Sequence, residues 1–220
     1  YPLPESSAMP DSRDRSTVFV ADDDEPVLDS LRLLLEGRGY AVTCFASGEA
    51  LLAALEAPAA APDCAVVDVR LPGLSGLELQ QRLQQRNRDL PVIIITGHGD
   101  IDMAVRALKA GAFDFIEKPF DDRRLLDSIA DAMAGATQRK TTTETVAALA
   151  ARHVELSERQ RQVMNLVVEG MANKEIATHL SISPRTVEIY RAKVMEKMGA
   201  RNLAGLVRMA LALEKDGVTR

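Results

Sequence analysis

The chain has 220 residues, 46% of them hydrophobic and 27% charged, which is enough for two modest domains and too apolar for wholesale disorder. No apolar run approaches the roughly 18 residues of a membrane span, and no signal-peptide pattern opens the chain. The net charge of −5 is unevenly spread: 15 Lys+Arg stand against 24 Asp+Glu as far as Ala151, and 12 against 8 from Arg152 onward, so the halves point to different partners, with nucleic acid a candidate for the second.

Residues 1–16 are Pro/Ser-rich and aperiodic and read as a flexible tail, with Met9 a candidate natural start. Strands and helices then alternate. A strand over 17–21 precedes a helix over about 25–37, in which Leu28, Leu31, Leu34 and Leu35 share one face before Gly37 and Gly39. A strand over 41–45 precedes an alanine-rich helix over 47–57. The pattern repeats as strand 64–69, helix 75–86, strand 92–96, helix 100–110 capped by Gly111, strand 113–117 and helix 121–134. Five successive strand–helix units imply an open parallel sheet with helices on both faces. Cys44 and Cys64 fall inside predicted strands, so the expectation is two buried reduced thiols in a cytoplasmic protein, and no Cys/His spacing points to zinc.

The run 135–145 is polar and reads as an interdomain linker, helical in part given the alanines of 132–151. The rear half contains no convincing strand. Ser157 caps a helix that buries Val163, Leu166 and Val167 and ends at Gly170; a short helix over 173–180 follows. A tight turn leads to Pro184, a favoured first helical residue behind a serine cap, and a helix over 184–198. A last helix spans 202–213. Two short helices joined by a tight turn, the second basic, are the makings of a helix-turn-helix.

The chemistry gathers at the strand ends. The first strand runs into Asp22-Asp23, the third into Asp68, the fourth ends on Thr96, and the fifth runs through Phe115 to Lys118-Pro119. Parallel sheets keep their ligands at the carboxyl edge, so one crevice would collect an acidic pair, a lone carboxylate, a hydroxyl and an ammonium. Such a set suits a phosphoryl group arriving on Asp68 with a divalent cation: a carboxylate accepts phosphoryl, and oxygen ligands suit Mg²⁺. Each member has a plainer alternative: helix capping within the 22–25 acidic cluster, a strand-end threonine at 96, a surface lysine at 118, a core aromatic at 115.

Together these residues make the front half resemble a response-regulator receiver domain, with Asp22-Asp23, Asp68, Thr96 and Lys118-Pro119 in matching order and spacing. The rear half resembles the LuxR/NarL-type helix-turn-helix through Leu156–Val163, Gly170–Ala177 and Ser183–Glu188. The combination is most similar to the FixJ-like subfamily, over about residues 17–213. The resemblance implies a flavodoxin-like (βα)5 receiver domain at 17–134, a linker at 135–152 and a four-helix DNA-binding domain at 153–216, an α/β unit followed by an all-α one. It implies a transcription factor, not an enzyme, phosphorylated on Asp68 by a sensor histidine kinase, dimerising, and acting on promoter DNA and RNA polymerase. By the same resemblance Asp23, Asp68 and the backbone carbonyl of Arg70 bind Mg²⁺ directly, Asp22 acts through a metal-bound water, Thr96 and Phe115 move together on activation, and Arg70 and His98 tune phosphoryl lifetime.

Two alternatives stand against this reading on particular residues. A dehalogenase-type enzyme would carry a second Asp where Arg70 stands, and the basic helix-turn-helix argues against a receiver acting only through protein contacts. A receiver dimer is expected through Met103–Ala110, Phe113–Ile116 and the helix after Asp121. On the helix 184–198 the outward residues are Arg185, Glu188, Ile189, Ala192 and Lys193. The resemblance places base contacts at Glu188, Ile189 and Ala192, with Glu188 standing where related proteins often have lysine. Lys174, Arg185, Thr186, Arg191 and Lys193 suit phosphates. Glu188 reads equally as a cytosine acceptor or as an ion-pair partner of Arg185 or Arg191.

Overall fold

The computed structural model describes residues 15–57, 61–86, 89–97, 101–138 and 146–217. Strands β1 (Thr17–Ala21), β2 (Ala41–Phe45), β3 (Cys64–Asp68), β4 (Val92–Thr96) and β5 (Asp114–Glu117) form one parallel sheet in the order β2-β1-β3-β4-β5. The order reverses between β1 and β3, which opens a crevice at their carboxyl ends. Strands β3 and β4 (Cys-Ala-Val-Val-Asp and Val-Ile-Ile-Ile-Thr) are buried at every position, as unbroken β-branched runs covered on both faces must be.

Five helices cover the sheet: α1 (Glu25–Glu36), α2 (Gly48–Ala54), α3 (Gly76–Arg86), α4 (Ile101–Lys109) and α5 (Asp122–Gln138). Alternation along each strand divides the core. Val18, Val20, Val66, Ile93 and Ile95 pack with Leu28, Leu31 and Leu35 of α1 and Leu125 and Ile129 of α5. Phe19, Val67, Val92 and Ile94 face Leu51 of α2, Leu79 and Leu83 of α3, and Val105 and Leu108 of α4. Of the two thiols, Cys64 is buried, but Cys44 on edge strand β2 is only half-buried.

Some boundaries differ from the sequence expectation. Helix α2 stops at Ala54, where the Leu55 amide donates to the Leu51 carbonyl and the Glu56 amide to the Ala53 carbonyl. Helix α5 continues to Gln138, four residues past the expected end, because Gly135 and Thr137 weaken but do not break the helix there. The tail before residue 15 and the centre of the expected linker, 139–145, lie outside the described residues.

The second half is helical: α6 (Val146–Val154), α7 (Glu158–Val168), α8 (Asn173–Leu180), α9 (Pro184–Met198) and α10 (Leu203–Lys215). Its ends are set by side chains. Ser157 and Gln160 form a reciprocal capping box at α7; Ser183 Oγ accepts from the Thr186 amide at 3.0 Å, with Pro184 at the first helical position of α9; Asn202 caps α10 through the Gly205 amide at 2.8 Å. Ser181, in the left-handed conformation at φ 55°, makes the turn between α8 and α9. Val163, Met164, Ile176, Val187, Val194, Met198, Leu206 and Val207 form the shared core.

The halves touch. Helix α10 packs against α4. The Arg208 guanidinium lies over the Phe113 ring, 4.6 Å from its centroid, and donates to the Phe113 carbonyl. Gly170, with φ 99°, abuts Asp102, where a Cβ would lie 2.9 Å from the Asp102 Cα.

Candidate functional site

At the carboxyl ends of β1, β3 and β5 three charged groups converge. Lys118 Nζ lies 2.7 Å from Asp22 Oδ2 and 2.7 Å from Asp68 Oδ1. Both carboxylates are buried, 1% and 5% exposed as residues, so they depend on this ammonium and on nearby amides for compensation. Asp22 Oδ1 accepts from the Asp24 amide at 3.0 Å, and Asp68 Oδ2 accepts from the Arg70 amide at 2.5 Å. Burial pushes the Asp22 pKa up against the opposing pull of Lys118 and the Asp24 amide, and the charge of Asp68 adds to the rise. For Lys118 burial works downward, but the hydrogen bonds to the two carboxylates outweigh it and hold the ammonium above its ordinary value.

The other residues singled out in sequence fall around this centre. Thr96 is fully buried at the end of β4, and its carbonyl accepts from the Lys118 amide at 2.7 Å, tying the two strand ends together. Phe115 is half-buried against the core beneath α4. Asp23 and Arg70 are exposed, and His98 lies outside the described residues. Among the described residues no three His, Cys, Asp or Glu side chains converge into a ready metal cluster. The donor chemistry nonetheless fits a hard divalent cation, because two buried carboxylates from different strands meet at one cationic position with oxygen ligands only.

Gly76, at the start of α3, was missed in the sequence reading. A Cβ there would lie 2.0 Å from the Asp68 carbonyl oxygen, and its amide donates to the Val69 carbonyl at 2.9 Å. Only glycine lets α3 approach the strand end that carries Asp68; the signal was present as the Leu-Ser-Gly closing the loop. Asp114 of β5, expected with Asp121 and Asp122 to pair with Arg106 and Lys109 across a receiver dimer axis, is instead 2% exposed and bound within the domain by Arg124 at 2.7 Å and by Ser128 Oγ at 2.8 Å.

On α9, Val187, Val194 and Met198 are buried while Arg185, Glu188, Ile189, Ala192 and Lys193 are exposed; Ile189 is 47% exposed, unusual for its size. Arg185 Nη1 lies 3.2 Å from Glu188 Oε2. Lys174 is exposed on α8. Two further residues expected at phosphates make side-chain hydrogen bonds within the domain. Thr186 is half-buried with its hydroxyl 2.8 Å from Ser183 Oγ, and Arg191 is half-buried, donates to Asn173 Oδ1 at 2.7 Å, and has its pKa lowered by burial.

Comparison with known proteins matches residues 18–130 to the response regulator receiver domain and residues 154–210 to the bacterial regulatory proteins of the luxR family. The transcriptional regulatory protein FixJ of Rhizobium meliloti is 48% identical over 196 residues, covering 89% of this chain and 95% of its own. The C4-dicarboxylate transport transcriptional regulatory protein DctR of Rhodobacter capsulatus is 47% identical, covering 88% and 98%. Among solved structures, full-length FixJ from B. japonicum is similar at 44% identity with a TM-score of 0.54, covering 91% of this chain and 98% of that one.

Proposed function

The chain belongs to the response regulators that join a receiver domain to a luxR-family DNA-binding domain, and from that premise we propose the residues through which it works. The family makes it a DNA-binding transcriptional regulator controlled by phosphorylation, with a sensor kinase as its partner. Asp68 is the phosphoacceptor. Its Oδ attacks the phosphorus of a phosphohistidine on the kinase; the O–P bond forms as the N–P bond breaks, and the imidazole leaves with the electron pair and takes up a proton. Mg²⁺, held by Asp68, Asp23 and the Arg70 carbonyl with Asp22 behind a water, would supply charge neutralisation on the transferring oxygens.

The chain's own groups do the rest. Lys118 already holds Asp68 and Asp22 by their oxygens and follows the charge when phosphoryl arrives. Thr96, one strand over, offers its hydroxyl to a phosphoryl oxygen, and Phe115 turns inward as it does so. Arg185, Lys174, Lys193, Thr186 and Arg191 bind DNA phosphates, the last two from half-buried positions. Glu188, Ile189 and Ala192 face base edges. The phosphorylated protein dimerises, engages promoter DNA and contacts RNA polymerase in the cytoplasm. The receiver unit is 17–138 and the DNA-binding unit begins within 146–154.

The observation that carries this reading is the convergence of Asp22 and Asp68, from separate strands, on Lys118 Nζ. The test is labelling with acetyl phosphate and Mg²⁺. Wild type gains one acid-stable, base-labile phosphoryl group and Asp68→Asn gains none; labelling of Asp68→Asn at the wild-type rate rejects the assignment.

A further inference from the structure

Helix α6 lies before the segment matched to the luxR family, which begins at residue 154. It is nevertheless packed into the DNA-binding unit. Leu149 and His153, one turn apart on the same face, are 6% and 8% exposed, and α6 contacts both α9 and α10. The contact with α9 is reciprocal. Arg152 Nη1 of α6 donates to the carbonyl of Met198, the last residue of α9, at 3.0 Å. In return Lys197 Nζ of α9 donates to the carbonyl of Glu155, just past α6, at 2.8 Å and to Gln160 Oε1 at 3.1 Å.

The chemistry of a helix end explains why this contact matters. The last carbonyls of a helix lack intrahelical partners and carry the negative end of its dipole, so a guanidinium there is doubly favoured. Gly199 makes the approach possible: it caps α9 at φ 70°, and a Cβ on it would sit 3.1 Å from Arg152 Nη1. The other end of α9 is fixed by the Ser183 cap and Pro184. Arg152, with Lys197 in return, thus ties the distal end of the helix carrying Arg185, Glu188, Ile189, Ala192 and Lys193 to the segment that enters the unit.

We propose that α6 is a clamp on α9, with Arg152 a positioning residue that holds the DNA-reading helix at one axial setting and makes the chain entering from the receiver domain act directly on that helix. The proposal rests on α9 reading DNA. Base recognition tolerates only small displacement of the reading side chains, whereas phosphate contacts from flexible arms tolerate more. A released α9 terminus therefore loses discrimination before it loses general affinity.

The test uses the full-length chain, treated with acetyl phosphate and Mg²⁺, to select from a randomised duplex DNA library; affinities are then measured for the selected duplex and a scrambled one. Arg152→Met is expected to lower the selected-to-scrambled affinity ratio about tenfold, in line with loss of a charge-assisted hydrogen bond, while scrambled-duplex affinity stays within about twofold. Arg152→Lys, which still donates to the Met198 carbonyl, is expected to recover most of the ratio. An unchanged ratio in Arg152→Met overturns the clamp. So does a parallel loss on both duplexes with a lowered Tm that Arg152→Lys does not restore, because that pattern is general destabilisation. If wild type itself enriches no sequence, the DNA-reading role of α9 fails and the clamp falls with it.

Discussion

Glu188 shows how a single side chain can serve two readings until its neighbours are seen. Its partner is Arg185, at 3.2 Å, and both side chains are largely exposed, at 52% and 82%. A solvated i,i+3 pair contributes only about 0.2–0.5 kcal/mol, too little to hold an arginine against DNA phosphates. Glu188→Ala is therefore expected to cost about 1–3 kcal/mol at one base position and relax the preference there. Binding to a set of single-base variants of a selected site checks this, and a uniform shift across the set rejects Glu188 as a base reader. His153 carries a prediction of another kind. Burial, helped by the charge of Arg161 on α7, pushes its pKa below the usual 6.5, and its Nε2 is buried with no hydrogen-bond partner among the described residues. The unfolded chain takes up this proton near pH 6.5 and the folded chain only at lower pH, so stability is lost as pH falls from about 6.5 toward the folded value. Denaturant midpoints between pH 7.5 and 5.5 should fall more steeply for wild type than for His153→Gln; parallel slopes would remove His153 as the cause.

At the level of elements, local chemistry set most of what is seen and close approach set the remainder. Strands β3 and β4 were legible because continuous apolar, β-branched runs have no other stable place than a two-sided sheet. The ends of α7, α9 and α10 follow Ser157, Ser183-Pro184 and Asn202. The far end of α5 was less legible, because alanine-rich sequence after Asp131 favours helix and no breaker marks a stop. The junction of β3 and α3 depends instead on Gly76, whose role is visible only when the Asp68 carbonyl is placed beside it. Gly76→Ala drives a methyl into backbone and is expected to destabilise the receiver domain by about 1–3 kcal/mol or more. It should also slow phosphorylation by moving Asp68, measured as a lower labelling rate with acetyl phosphate under conditions where the variant remains folded. Wild-type stability and rate in Gly76→Ala would show that the junction relaxes freely.

Over the whole molecule, α4, part of the surface expected to pair two receivers, is the helix against which α10 packs here. Phe113, inside the expected dimer surface, is covered by Arg208. Pairing of receivers through that face requires α10 to leave it. Arg208→Ala removes a cation–π contact and a charge-assisted hydrogen bond, about 2 kcal/mol together, and should shift the unphosphorylated chain toward separated domains. Small-angle scattering should then show a larger radius of gyration than wild type; identical curves would show that Arg208 does not hold the halves together. The sequence by itself determined the alternating strand–helix front half, the helical rear half and the strand-end positions of Asp22, Asp68, Thr96 and Lys118, because β-branched runs, caps and strand-end residues act over a few positions. It also separated the buried and exposed sides of α9, since a helical period is written directly in residue type. Only the tertiary structure decided that Lys118 bridges both carboxylates, that Arg191 meets Asn173, that Arg152 of α6 reaches the Met198 carbonyl of α9, and that α10 packs on α4 and over Phe113. Those outcomes depend on which distant groups meet, and distance along the chain carries no record of it: Lys118 reaches across 96 positions to Asp22, and Arg208 across 95 to Phe113.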